Sequence, residues 1–235
     1  MKRQNYLIPI GLMLFALFFG AGNLIFPIFM GQNAGLDTIP AVIGFLLTGV
    51  GFPILAVAAI GYSGHDLEAL TSRIHPGYAI FYTVALYLTI GPAFAIPRTA
   101  TTSFEIGIAP FFSADMKETA LYGFAFLFFL VSWWLSSNPS KLVSRIGKII
   151  TPALLLFLAI LFISAALSPI GSWQAASSSY QPTVKALTQG FLDGYNTMDA
   201  LAGFVFGIIV VHAVRQYGAT SNEEVAGDTL KSGII

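Results

Sequence analysis

The sequence predicts an all-α integral membrane protein that crosses the bilayer several times, and three observations carry that reading. Hydrophobic residues make up 56% of the chain and charged residues 9%, with a mean hydropathy of +0.78, far from the balance of soluble domains. The apolar runs are continuous and about twenty residues long, which fits bilayer-spanning helices and not the alternating strands of a barrel. Two of these runs are interrupted, the first at its centre, by glycine, asparagine or aspartate, residues that lipid cannot accommodate unpaired.

The first segment, Leu7 to Met30, holds Gly20-Ala21-Gly22-Asn23-Leu24-Ile25-Phe26-Pro27 at its centre. Two glycines, an amide and a proline that cannot donate backwards predict a broken helix there. Irregular backbone at that depth survives only inside protein or along a polar cavity, so the break predicts a binding site. Close helix packing through the glycines is the competing reading. A signal peptide headed by Lys2-Arg3 fits less well, because the apolar run continues seven residues past Asn23. A second half-helix starting near Gly22 to Leu24 points free N–H groups at the cavity and suits an anion. Carbonyls around Phe19 to Ala21 suit a cation or an ammonium group, and Asn23 serves either. A zwitterion matches both ends. Phe15, Phe18, Phe19, Phe26 and Phe29 offer an apolar wall, although with 21 phenylalanines in the chain most are expected to face lipid or pack.

The second segment is Thr38 to Tyr62, and the third runs from Tyr78 to Ala95 with an extension to Phe112. Inside that extension, Gly91-Pro92-Ala93-Phe94-Ala95-Ile96-Pro97-Arg98 is followed by threonines, Ser103 and Glu105. Arg98 and Glu105 share a helix face two turns apart, about 10 Å, and meet only if the prolines bend the helix. They are candidates for a gate, the alternative for Arg98 being snorkelling or structural pairing. Ala120 to Leu135 and Ile149 to Leu167 are the fourth and fifth segments. Ser168 to Gln189, serine-rich, reads as a flexible outer loop.

The sixth segment, Gly190 to Val214, again contains a polar interruption, Asp193-Gly194-Tyr195-Asn196-Thr197-Met198-Asp199. A carboxylate near the bilayer centre costs about 2.5 to 3.5 kcal/mol even on the lower scales, which marks Asp199 as a functional candidate. Asp193 is expected at the outer interface, where water removes most of that cost. A seventh segment is expected to begin at Gly233. Five spans before the second break is an odd number, so a second repeat would enter the membrane from the opposite side. This divides the chain into a first five-span repeat (1–167), an outer loop (168–189) and the start of a second, inverted repeat (190–235). The spacing of Asn23 and Asn196 projects that repeat well past residue 235, the expectation for a truncated chain or one piece of a split gene.

With the N-terminus cytoplasmic, Lys2, Arg3, Arg73, Lys141, Arg145, Lys148, Arg215 and Lys231 lie inside, against Lys117 and Lys185 outside. Tyr6, Trp133 and Trp134 then fall near inner interfaces. The formal net charge of zero gives no reason to expect nucleic acid as a partner, and the absence of cysteine removes disulfides, thiolate metal sites and thiol nucleophiles. No zincin, nucleophile-elbow or phosphate-loop motif occurs, so an enzyme is not expected. His65, Asp66, Glu68 and His75 read as a solvated connection, and His212 as a residue near an inner helix end.

The three motifs at Gly20 to Pro27, Gly91 to Arg98 and Asp193 to Asp199, in matching order, make the chain resemble the N-terminal half of the bacterial branched-chain amino acid:cation symporter family. That family is similar in architecture to the LeuT-type inverted-repeat transporters. The resemblance implies import of leucine, isoleucine and valine across the bacterial inner membrane, coupled to Na⁺ or H⁺, with no other cofactor. It implies substrate contacts at Ala21, Gly22, Asn23, Leu24, Asn196, Thr197 and Asp199, and coupling-ion contacts at Gly20, Ala21, Asn23 and Asp199. Relatives have about twice as many spans, and part of the pocket would come from an eighth helix beyond this sequence, so a second half is an expected partner. A channel, a membrane enzyme, a non-transporting fragment and a carrier for another small zwitterion are the alternatives.

Overall fold

The first apolar run folds as two helices, α1 (Leu7–Phe18) and α2 (Ala21–Ala34), in the computed structural model, which describes residues 6–137, 151–168, 171–172 and 174–234. Phe19 still donates its N–H to the Phe15 carbonyl at 2.8 Å, but its ψ of 101° turns the chain out of the helix. Gly20 is fully extended at φ −123°, ψ −172°, and Ala21 restarts the helix. Pro27 sits inside α2 and cannot donate to the Asn23 carbonyl one turn back. Beyond a 3₁₀ turn at Gly35–Asp37, α3 (Thr38–Leu46) passes through a π turn, Leu47–Gly51, into α4 (Phe52–Ser63). Gly64, at φ +69°, caps α4 in the left-handed conformation that glycine adopts most cheaply. The short α5 (Leu67–Ser72), capped by the Asp66 carboxyl on the Ala69 N–H, leads into α6 (Pro76–Ile90).

The chain divides into two compact units, Met1–Ile90 with Ser172–Ile235, and Gly91–Gly171. The second unit contains α7 (Ala95–Gly107), α8 (Ala114–Ser136) and α9 (Thr151–Leu167). Phe104 of α7 meets Phe124 of α8 at 5.7 Å between ring centres. None of the residues of α8 is buried, and Phe126, Trp133 and Trp134 stand out from it, a surface that suits lipid.

The first unit is completed by α10 (Thr183–Tyr195), α11 (Asp199–Gln216) and α12 (Asn222–Ile234). Helix α10 lies along α3 and α11 along α4, while α12 packs on α4 and α1. The α3–α10 contact is made by backbone: a Cβ on Gly44 would stand 2.0 Å from the Leu187 carbonyl oxygen, and one on Gly190 2.0 Å from that of Ala41. Lipid tails are as apolar as leucine, so such close approach between small residues is what holds helices together in a membrane. The larger core cluster takes Tyr6, Ile10 and Leu14 from α1 and its N-cap, Val57 and Ile60 from α4, Val210, Val211 and Val214 from α11, and Val225 from α12.

Among the described residues, Ala21–Ser63, Pro76–Gly107, Ala114–Ser136 and Asp199–Gln216 are long and apolar enough to cross a membrane, while Leu7–Phe18 and Thr151–Leu167 are apolar but shorter. Several expected boundaries shift. The sixth segment starts at Thr183, before Gly190, because α10 buries Ala186, Gly190, Asp193 and Gly194 on one face and exposes Lys185 and Thr188 on the other. The loop before it, expected to be a flexible linker, makes defined contacts among its described residues. Ser177 N–H bonds the Asn33 carbonyl at 2.8 Å, the Gln174 carbonyl accepts from Leu36 N–H at 3.0 Å, and Ala176 and Tyr180 are buried. The residues before Gly233 form the polar helix α12, which buries Val225, Asp228, Thr229 and Ser232. Ile149 and the basic residues Lys2, Arg3, Lys141, Arg145 and Lys148 lie outside the described residues.

Candidate functional site

Both polar interruptions are helix breaks. At the first, the Gly20 N–H donates to Asn23 Oδ1 at 3.1 Å and the Asn23 N–H to the Gly20 carbonyl at 3.1 Å, so Asn23 closes the start of α2 from its third position. The last carbonyls of α1 are left without helical donors. At the second, Met198 takes a left-handed φ of +68°, a conformation uncommon outside glycine, between α10 and α11. Thr197 Oγ1 donates to the Gly194 carbonyl at 2.8 Å and accepts from the Asp199 N–H at 3.4 Å, stitching the end of one helix to the start of the next. Asp199 stands in the first turn of α11, where the helix dipole favours a carboxylate.

The two breaks meet. Asn23 Nδ2 donates to Asp199 Oδ2 at 2.5 Å, joining residues 176 positions apart, and Asp199 is only 6% exposed. Asn23 thus uses its oxygen to hold the start of α2 and its nitrogen to hold the start of α11. Beside this contact lies a cavity of about 380 Å³, within the size range of small-ligand pockets. Phe15, Phe18, Phe19 and Phe45 give it aromatic walls, and Asn23, Asp199 and Ser232 are its side chains with polar tips.

The other expected site residues fall in different places. Ala21, Gly22 and Leu24 form the first turn of α2, Gly22 buried and the other two half-buried, and Gly20 is exposed. None of these four is a wall of the cavity. Thr197 is buried with its hydroxyl committed to the break itself, and Asn196 is exposed and off the cavity. Of the expected aromatic wall, Phe15, Phe18 and Phe19 line the cavity, whereas Phe26 packs against a smaller core cluster that includes Met30, Ala34, Ala41 and Tyr180, and Phe29 is exposed. Arg98 and Glu105 belong to the second unit, where the Arg98 guanidinium lies 5.5 Å from the Phe94 ring centre and Glu105 is exposed. His65, Asp66, Glu68, His75 and His212 are exposed.

Two buried carboxyls carry structural roles that the sequence did not reveal. Asp193, expected near water, is 4% exposed and accepts from the Tyr180 hydroxyl and from Gln189 Nε2 at 3.1 Å. Burial, then the bond to Asp193, pushes the Tyr180 phenol above its ordinary range. Tyr6 is corrected from an interface anchor to a buried group, 2% exposed: its hydroxyl donates to buried Asp228 and its ring stacks on Tyr217 at 5.3 Å. The sequence signal for these pairs was faint, because each partner sits in a stretch of mixed polarity far from the other or across a loop.

Apolar helices of spanning length, with two breaks that meet across an amide–carboxyl bond beside an aromatic cavity, define a multi-pass membrane protein with a polar contact held inside its helices. The chain belongs to the branched-chain amino acid transport protein family, which it matches over residues 3–235. It is 50% identical over 232 residues to the branched-chain amino acid permease BrnQ of Bacillus subtilis (strain 168), covering 98% of this chain and 52% of that protein. Against the branched-chain amino acid permease BraB of the same organism the identity is 47% over 228 residues, covering 97% and 51%. The branched-chain amino acid transport system 2 carrier protein of Pseudomonas aeruginosa is 43% identical over 229 residues, covering 97% and 52%. The chain spans about half the length of the curated relatives it matches. The family is one of permeases, not enzymes. No solved structure matches the chain significantly.

Proposed function

We propose that the chain forms the first part of a secondary active transporter that imports leucine, isoleucine and valine by symport with Na⁺ or H⁺. The observation that carries this reading is the Asn23–Asp199 bond, which joins two helix breaks beside a cavity walled by phenylalanine. Aromatic walls suit a branched aliphatic side chain, while the start of α2 and the carbonyl end of α1 offer opposite partial charges to an amino acid's two ionic groups. A cation at the carbonyl end offsets the substrate carboxylate, so each tightens the other's binding by the same factor.

In this reading the fold is a LeuT-type inverted repeat. The α1–α2 and α10–α11 breaks are its paired discontinuous helices, the N-terminus lies in the cytoplasm, and a second half supplies the remaining walls. Ala21, Gly22 and Leu24 approach substrate through the backbone, Gly20 and Ala21 help to hold the ion, Asn196 and Thr197 shape the second break, and Arg98 and Glu105 serve a gate.

The test is leucine uptake by a chimera in which this chain replaces the matching half of the Bacillus subtilis permease. Uptake is expected to require a Na⁺ or proton gradient and to fall with Asn23→Ala and with Asp199→Ala. Uptake indifferent to both substitutions and to the collapse of both gradients would sink the proposal.

A further inference from the structure

We infer that the Ser232 hydroxyl is a third polar ligand of the Asn23–Asp199 cavity, presenting a lone pair to the positive group of its occupant. This rests on the reading of that cavity as an amino-acid and cation site.

Ser232 lies on the buried face of α12 with Val225, Asp228 and Thr229, and it is 1% exposed. Serine and threonine in a helix normally satisfy themselves by donating to a carbonyl one turn back. Ser63, Thr71, Thr89 and Ser132 all do so here, at 2.7 to 2.9 Å. Ser232 does not. Among the described residues its Oγ is one of three buried side-chain polar atoms without a hydrogen-bond partner, the others belonging to Thr83 and Thr229. A buried hydroxyl left unpaired is costly and calls for a reason. Of the three, Ser232 is the one that lines the cavity beside Asn23 and Asp199.

The chemistry of the walls sets its role. Asp199 contributes a carboxyl, Phe18 and Phe19 stand at the carbonyl end of α1, and no lysine, arginine or histidine is among the lining residues. Such a cavity favours a positive group, and a hydroxyl has two lone pairs to add to it. The hydroxyl proton can then turn to the Asp228 or Thr229 carbonyl of its own helix, satisfying both ends of the group. Two occupants share this chemistry, the ammonium of the amino acid and the coupling cation.

The experiment measures binding of radiolabelled leucine to the chimera with the Bacillus subtilis permease in lipid nanodiscs, with Na⁺ and pH each titrated, for the chimera carrying the wild-type sequence of this chain and for its Ser232→Ala, Thr229→Val and Asn23→Ala variants. Ser232→Ala and Thr229→Val each remove an unpaired buried hydroxyl, so both are expected to melt no lower than the wild type without ligand. Of these two, Ser232→Ala alone is expected to weaken binding, by about 3- to 10-fold, the net worth of one hydrogen bond. A loss in leucine affinity at saturating Na⁺ or proton assigns Ser232 to the ammonium. A rise in the half-saturating cation concentration, with leucine affinity at saturating cation unchanged, assigns it to the coupling ion. If Asn23→Ala weakens binding while Ser232→Ala matches the wild type in both titrations, this inference is overturned and the transporter reading stands. If the wild type binds no leucine, or Asn23→Ala binds as well as the wild type, the transporter reading falls and this one with it.

Discussion

The Asn23–Asp199 bond is the contact most open to quantitative test, through a double-mutant cycle of Asn23→Ala and Asp199→Ala. The single Asn23 substitution removes two interactions: the closure of the Gly20 N–H at 3.1 Å and the donation to Asp199 at 2.5 Å. Losing a helix-start closure costs about 1 kcal/mol. Losing a hydrogen bond to a charged group costs about 1.5–3 kcal/mol, and Asp199 at 6% exposure has little water to replace it. The Asn23→Ala chain should therefore lose about 2.5–4 kcal/mol. The closure of α2 cancels in the cycle, leaving a coupling of about 1.5–3 kcal/mol for the bridge alone. Unfolding in mixed micelles, followed by far-ultraviolet circular dichroism, measures all four corners. Asn23→Asp adds a qualitative arm: it keeps an acceptor for Gly20 but sets two carboxyls face to face. It should be destabilised at neutral pH and recover on acidification, when the pair shares a proton. A coupling below about 0.5 kcal/mol, the ordinary error of additivity, would show that the two breaks are not bonded.

Gly190→Ala should cost about 1–3 kcal/mol, because its Cβ would stand 2.0 Å from the Ala41 carbonyl oxygen, whereas Gly31→Ala, with nothing within 4 Å, should not; paired melting curves check both. Tyr6→Phe keeps the stack on Tyr217 but takes the hydroxyl donor from Asp228, whose remaining charged neighbour, Lys231, is 3.9 Å away. Tryptic cleavage after Lys231 should quicken as α12 loosens, with a loss of about 1–3 kcal/mol. Tyr180 has a folded pKa raised above its unfolded value of about 10, so its contribution is complete below that pH and is lost as pH climbs beyond it. Melting temperature measured against pH should fall on the alkaline side for the wild type and less steeply for Tyr180→Phe.

The two breaks were legible because their signal is local: glycine, asparagine or aspartate inside a run that hydropathy alone would keep helical. Asn23 and Asp199 could each be singled out, but not the bond between them, since nothing in either segment encodes a partner 176 positions away. Asn196 is a related case. Its neighbours placed it at the break, and only the direction of the turn through Met198 leaves it exposed while Asp199 is buried. Helix α10 escaped the hydropathy reading because its buried face is alanine, glycine and one aspartate, and the small residues score weakly yet permit the closest backbone approach. Helix α12 was hidden further, since the face it buries is valine, aspartate, threonine and serine. Burial by polar residues leaves no apolar stripe to read.

The π turn at Leu47–Gly51 lies opposite the second break, with α10 following the stretch before it and α11 the stretch after it. Two rods laid side by side therefore share one weak point at the same height. Deleting a single residue there would screw α4 by about 100° and draw it in by 1.5 Å relative to α3. Val57 and Ile60 would rotate off the valines of α11 while Gly44 stayed seated on α10. The extra residue is a phase setting: it lets one helix present glycine to one neighbour and branched side chains to the next.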